Sequence, residues 1–135
     1  MATAILAIVA GIAIPRFARA TDGARVDAAA RRLVAELEAA RERSKLSRSV
    51  CTVTFSVGTG RVRMAGIDTT KLGAGDGGFD LGSEPYGVVI RSTTYQASGL
   101  PFDRFGTATA GTIVLERGDR TRTVAVDPAG GVAWK

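Results

Sequence analysis

The chain of 135 residues contains no histidine and a single cysteine, Cys51. Histidine is the usual proton shuttle near neutral pH and the commonest metal ligand, so its absence removes most hydrolytic and zinc chemistry. One cysteine cannot close an internal disulfide. In Ser49-Val50-Cys51-Thr52-Val53-Thr54-Phe55 it alternates with polar neighbours, in step with Val53, Phe55 and Val57, and reads as a small buried hydrophobe. No set of nucleophile, base and orienter can be assembled from the remaining residues, so an enzyme is not expected. Aromatics are scarce at 6%, and 17 glycines point to many turns and a lightly built β region. A membrane-length apolar run is also lacking. Met1 to Ile14 is apolar and uncharged but gives only about 21 Å of helix at about 1.5 Å per residue. A bilayer core of about 30 Å needs about 20 residues.

What is present divides into a helix and a set of strands. Lys and Arg number 18 against 13 Asp and Glu, a net charge of +5. That balance suits anionic lipid, acidic protein or nucleic acid, and equally a set of solvated arginines. From Thr21 to about Arg48 the helical pattern is strong, with Thr21 or Asp22 as a candidate N-cap. Val26, Ala30, Leu33, Leu37, Ala40 and Ser44 recur at spacings of three and four, a narrow stripe suited to packing on a sheet. Arg25, Arg32, Glu36 and Arg43 occupy the opposite face, and Asp27–Arg31 and Arg32–Glu36 are candidate i,i+4 pairs. Beyond it, Gly58-Thr59-Gly60 predicts a hairpin between Cys51–Val57 and Arg61–Ala65. Residues 66–87, rich in Gly and Asp, read as a long surface loop. Val88 to Arg91 is a short strand, and 102–106 closes an irregular stretch. Thr112–Glu116 and Thr121–Val126 pair across Arg117-Gly118-Asp119-Arg120, and a turn at 127–131 leads into Val132–Trp134. One long helix followed only by antiparallel strands is an α+β layout. The expected parts are an apolar segment 1–20, an amphipathic helix 21–48 and a β domain 49–135.

Three readings of the opening run compete. Ala18-Arg19-Ala20 has the small-x-small form of a signal-peptide cleavage site, which would leave a secreted binding domain starting at Thr21. An internal core helix is a second reading, although such helices rarely lack a polar stripe. The third is the latter part of a longer membrane anchor.

At Ala10-Gly11-Ile12-Ala13-Ile14-Pro15-Arg16-Phe17 the chain resembles the type IV pilin and pseudopilin family, whose apolar helix carries a helix-kinking proline. Leu100-Pro101-Phe102-Asp103-Arg104-Phe105-Gly106, Gly111–Leu115, Arg122–Val126 and Gly130-Gly131-Val132 are similar to the C-terminal half of minor pilins and pseudopilins of the GspH/FimT type. The resemblance implies a pilin-like fold, no cofactor and no enzymatic activity. It implies a structural subunit held in the bacterial inner membrane, with its β domain in the periplasm, that joins a pseudopilus or pilus. Its partners would be other pilin or pseudopilin subunits, inner-membrane lipid and secreted cargo. Ile5, Leu6, Ile8, Val9, Gly11, Ile12, Ile14, Pro15 and Phe17 would pack in the membrane and the filament core. There apolar groups exchange lipid for one another, so small residues such as Ala7, Ala10 and Ala13 must supply close packing. Pro15 removes a backbone donor and would loosen the helix. Val26, Ala30, Leu33, Leu37 and Ala40 would join the helix to the β domain.

The family's cleavage glycine, basic leader and early glutamate would lie upstream of Met1 if Pro15 is the family's proline. The short run is then expected to reflect a misplaced start or a truncated chain, with missing residues bringing it to about 20. Arg16, Arg19 and Arg25 would sit near lipid headgroups. Asp76, Asp80 and Glu84 are weak calcium candidates, since their spacing matches no established calcium loop. Arg117, Arg120 and Arg122 form a basic hairpin tip that could meet DNA phosphates, as in the uptake-linked branch of the family. DNA is not the favoured partner, because charged hairpins also serve to block edge pairing. Trp134 reads as a core plug or a sheet-edge cover.

Overall fold

The computed structural model describes residues 2–65, 78–95 and 99–135, and the helix side chains from Ala20 onward. A single helix, α1 (Ala2–Ser47), leads into eight strands: β1 (Cys51–Phe55), β2 (Arg61–Ala65), β3 (Gly78–Asp80), β4 (Val89–Thr93), β5 (Leu100–Phe102), β6 (Gly111–Arg117), β7 (Arg120–Val126) and β8 (Val132–Trp134). The expected sheet is in fact two antiparallel four-stranded sheets, ordered β3-β2-β1-β5 and β4-β6-β7-β8.

The helix runs without a break through Thr21 and Asp22, so neither serves as an N-cap. Its end is set differently. Arg48 takes a left-handed conformation at φ 52, and the Ser49 N–H donates to the Ser44 carbonyl at 3.2 Å. That six-to-one closure usually employs glycine, because a side chain there costs about 1–2 kcal/mol. Ser44 and Ser47 hydroxyls cap the carbonyls of Arg41 and Arg43, each at 2.7 Å.

Val26, Ala30, Leu33, Leu37 and Ala40 are fully buried, with Ala29 widening the stripe to two small residues abreast. Small side chains let the helix axis approach the strands closely, so large strand residues fill the space. Cys51, Val53 and Phe55 enter the core from β1, Val62 and Met64 from β2, and Leu100 and Phe102 from β5. Ile90, Ile113, Leu115, Val124 and Val126 do so from the second sheet. Burial alternates along β1, β2 and β5 as period-two geometry requires, with Cys51, Val53 and Phe55, Val62 and Met64, and Leu100 and Phe102 inward.

Four sequence-based expectations need revision. Val57 is 57% exposed, because β1 ends at Phe55 and the chain turns before the alternation reaches it. The loop over 66–87 contains β3, which pairs with β2, and Leu81, which is buried; residues 66–77 are outside the described set. The irregular stretch before Gly106 contains β5, paired with β1 in the register Cys51↔Phe102. Pro101 hid it, although proline is tolerated on such an edge strand. The Asp27–Arg31 pair does not form, since Asp27 is drawn to a strand arginine. Arg32–Glu36 does form, at 3.0 Å.

The two sheets meet where the β1–β2 turn hooks onto β4. Gly58 N–H donates to Ile90 O and Ile90 N–H to Thr59 O, at 2.9 and 2.8 Å. Leu81 and Val88 continue this ladder through Gly60, at 2.8 Å each.

Candidate assembly interface

The β6–β7 hairpin lies along the helix and grips it. Arg117 and Arg120 close the hairpin as a pair around Gly118-Asp119. Gly118 sits at φ 61, the positive angle a type II′ turn demands of its first central residue. From this frame Arg117 Nε donates to Asp22 Oδ1 at 2.8 Å, and Arg122 Nε to Asp27 Oδ1 at 2.6 Å. Arg117 Nη1 also donates to the carbonyls of Tyr86 and Gly87, at 3.2 and 2.9 Å. Gly87 sits at φ 59, and a Cβ there would stand 2.0 Å from that nitrogen, so the guanidinium would have to shift. The helix, the hairpin and the β3–β4 connection are thus tied at one guanidinium.

Both pairs are about 30% exposed. Partial burial with charge-assisted hydrogen bonds places each at about 1–2 kcal/mol, above an open surface pair and below a fully buried one. Arg25 adds a longer contact to Glu84 at 3.9 Å, with Glu84 85% exposed. Arg31 lies over the Trp134 ring at 5.6 Å and Arg32 over Phe79 at 5.2 Å. A hydrogen bond with Tyr86 raises the Arg32 pKa above its usual value, desolvation opposes it, and Glu36 adds to the rise.

The other end of the seam is held by backbone and turn contacts. Arg41 Nε donates to the Gly106 carbonyl at 3.1 Å. Asp103 holds the turn beneath it, accepting from the Phe105 and Thr107 N–H groups at 2.9 and 3.0 Å and from the Thr107 hydroxyl. The Thr107 hydroxyl bond is the main cause of a carboxyl pKa below the usual value. Burial pushes the Tyr95 phenol up to about 12, while its hydroxyl donates to Thr109 O at 2.7 Å. Burial also pushes the Cys51 thiol up, which suits a core residue.

The sequence-derived candidates are therefore distributed unevenly. Of the basic trio, Arg117 and Arg122 face helix carboxylates, so two of the three charges offered to phosphate are already neutralised. Arg120 is exposed and has no carboxylate partner among the described residues. Asp80 accepts from the Gly82 N–H at 2.7 Å, Glu84 leans to Arg25, and Asp76 lies outside the described residues. Among the described residues no group of three acidic or thiol side chains could hold a metal. Ile5, Leu6, Ile8, Val9, Gly11, Ile12, Ile14, Pro15 and Phe17 lie on α1, outside the described side chains. No helix among the described residues is long and apolar enough to cross a membrane. Sequence reasoning missed the clasp of Asp22 and Asp27 on Arg117 and Arg122. Its one trace is the matched spacing of five residues on helix and hairpin, which means nothing until the two are known to lie side by side.

The fold is similar to that of solved pilin-type proteins. The type IV minor pilin FimU of Pseudomonas aeruginosa matches at 18% identity and a TM-score of 0.62, over 82% of this chain and 87% of that one. The minor pseudopilin EpsH from the type 2 secretion system of Vibrio cholerae matches at 17% identity and a TM-score of 0.63, over 82% of this chain and 96% of that one. No curated protein sequence matches at a significant level. Residues 29–130 match the family described as type II transport protein GspH, a span that takes in the helix stripe from Ala29 to Ala40 and strands β1 to β7. The chain belongs to the GspH family of type II secretion minor pseudopilins, structural proteins rather than enzymes.

Proposed function

We propose that this chain is a minor subunit that assembles into a type II secretion pseudopilus or a type IV pilus. In this reading residues 1–20 belong to an inner-membrane anchor and the β domain stands in the periplasm. The observation that carries the reading is one unbroken helix, Ala2–Ser47, whose second half is fixed to both sheets. A helix clasped at Asp22 and packed to Ala40 transmits any load on its first part to the whole β domain. The apolar first part would pack against other pilin or pseudopilin helices in a filament core, exchanging lipid contacts for protein contacts. The β domain then faces outward, toward neighbouring subunits and secreted cargo.

The test is deletion of the gene in its host, with secretion of a type II substrate, pilus-dependent motility and DNA uptake measured side by side. Loss of secretion alone supports a pseudopilus, and loss of motility supports a pilus. Normal behaviour in all three overturns the proposal. So does a mature protein that begins at Thr21, because cleavage there would remove the anchor.

A further inference from the structure

The C-terminal end of α1 carries large apolar side chains that the fold leaves outside. Leu46 is 84% exposed, Phe105 69% and Val50 52%. The chain path gathers them at one pole. Val50 precedes Cys51, whose register partner is Phe102, so it lies beside the 103–107 turn. Lys45 lies against the same turn, since a Cβ on Gly106 would stand 2.7 Å from its Cδ, and Leu46 follows it in the chain. The Phe105 N–H is tied to Asp103, and the Arg104 guanidinium sits 5.0 Å from the Phe105 ring.

The rim of this cluster is cationic. Arg48 and Arg104 are exposed and have no carboxylate partner among the described residues. The carboxylates at this end are engaged: Glu42 with Lys45 at 3.4 Å, Asp103 with the N–H groups of its turn, and Asp127 with the Gly131 N–H at 2.7 Å. Exposed apolar anchors inside a charged rim are the composition of a protein contact surface.

We propose that this pole docks a different protein, one that presents an acidic surface around an apolar side chain. The sign of the rim selects the partner, because like charges brought face to face are rejected. That rule also turns away a second copy meeting pole to pole. Position turns away lipid: Leu46 lies about 48 Å along the helix from Ile14, at about 1.5 Å per residue, well beyond a headgroup layer. Leu46, Val50 and Phe105 favour protein over nucleic acid, since a phosphate backbone offers charge but no apolar anchor. One such pole seats one partner and does not propagate, which suits a minor subunit. The inference deepens the filament reading and rests on it for the distance from the membrane and for which partners come within reach.

The test places the photo-reactive residue benzoylphenylalanine in the full chain in its host, at Phe105, at Leu46 or, as a control, at Val57. Val57 is also exposed but lies beyond the far end of β1. One and the same cross-linked protein is expected from Phe105 and Leu46, at least tenfold above the control, with Asp or Glu beside the cross-linked residue. Arg48→Glu together with Arg104→Glu should reduce the yield about tenfold, and changing the partner's carboxylates to lysine should restore it. Both arginines are exposed, so urea denaturation of the double variant should match the unaltered chain. No cross-link above the control, a cross-link to a second copy or to lipid, or a yield indifferent to charge reversal overturns the proposal. A gel shift of the purified chain with a short DNA duplex gives a second measurement. Retardation that the double variant abolishes overturns the choice of protein over nucleic acid; mobility that the variant leaves unchanged supports it. Gene deletion scores the filament reading separately. A deletion phenotype without the cross-link sinks this surface alone, and a charge-sensitive cross-link without a phenotype sinks the filament reading alone.

Discussion

The middle of the helix–sheet seam and its ends are built from different physics. Between Val26 and Ala40 the helix meets the strands through a dry apolar stripe in which every member is fully buried. At Asp22 and Asp27 the contact is two half-buried ion pairs to the hairpin, and at Arg41 it is a bond to the Gly106 carbonyl. Apolar burial is strong but non-directional, so a stripe of alanines and leucines would tolerate a small slide or rotation of the helix. Hydrogen-bonded charges are weaker but fix the atoms that meet. The middle supplies the free energy, and the ends set the register. In the proposed filament, that register would decide where the β domain points relative to the helix.

The largest effect should come from the middle. Leu37→Ala removes a side chain with no exposure and leaves a cavity that two sheets cannot collapse into. Its cost is expected at about 2–5 kcal/mol by urea denaturation. Leu46→Ala, only nine positions along but 84% exposed, is expected within about 0.5 kcal/mol of the unaltered chain. Equal effects at the two sites would break the division between seam and surface.

Next comes a phenol set inside the apolar region. Tyr95 is 7% exposed, stacks on Phe55 at 6.0 Å and has its phenol pushed up to about 12. The folded-state pKa lies above the unfolded one of about 10, so the unfolded chain releases the proton first. Its contribution is intact below pH 10 and is lost as pH rises through about 12. A loss of about 2 kcal/mol is expected across that window. Tyr95→Phe should flatten it while losing the bond to Thr109. An alkaline stability profile that Tyr95→Phe leaves unchanged would place the titration elsewhere.

How much of this was legible in the sequence follows the same division. The stripe was readable because helical periodicity and strand alternation are local patterns, visible in Val26 to Ala40 and in Cys51 to Phe55. The β6–β7 and β7–β8 hairpins were readable because Gly118-Asp119 and 127–131 carry their own turn chemistry. The clasp was not. Asp27 has Arg31 four residues away as an obvious local partner, and only the docking of the hairpin brings Arg122 to it instead. β3 was missed because its three residues lie inside a Gly- and Asp-rich run, and β5 because Pro101 argued against a strand. In the basic trio the charges of Arg117 and Arg122 look free only while the helix is out of view, whereas Arg120 stays exposed.

The clasp itself should give a smaller effect, and a different kind. In a double-mutant cycle with Asp22→Ala and Arg117→Ala, the coupling energy is expected at about 1–2 kcal/mol and should fall in 1 M salt, where screening shortens to about 3 Å. Leu37→Ala should show no comparable salt dependence. Zero coupling at low salt would mean that the apolar stripe sets the helix register unaided. Gly87→Ala supplies a check that leaves both charges in place, because its Cβ would displace the Arg117 guanidinium. The same cycle run in the Gly87→Ala background should give a smaller coupling energy than in the unaltered chain.

The smallest expected effect lies at the opposite end, in the turn that Asp103 organises. Its carboxyl pKa is lowered, first by the Thr107 hydroxyl and then by backbone N–H groups. A lowered folded-state pKa means that the stabilisation is present above the ordinary carboxylate range and is lost as pH falls through the folded value. Asp103→Asn keeps the shape but donates where it should accept, so the stabilisation present at pH 7 should be lost, and the acid limb of the stability profile should become shallower because that contribution is no longer there to titrate away. The turn carries Arg104 and Phe105, and Gly106 carries the acceptor for Arg41. The Asp103→Asn chain should therefore exchange the Phe105 and Thr107 amide hydrogens faster while the exchange of β1 and β7 amides is unaltered. If β1 amides were to speed up as well, the ends and the middle would be one cooperative unit, and the contrast between them would be energetic rather than structural.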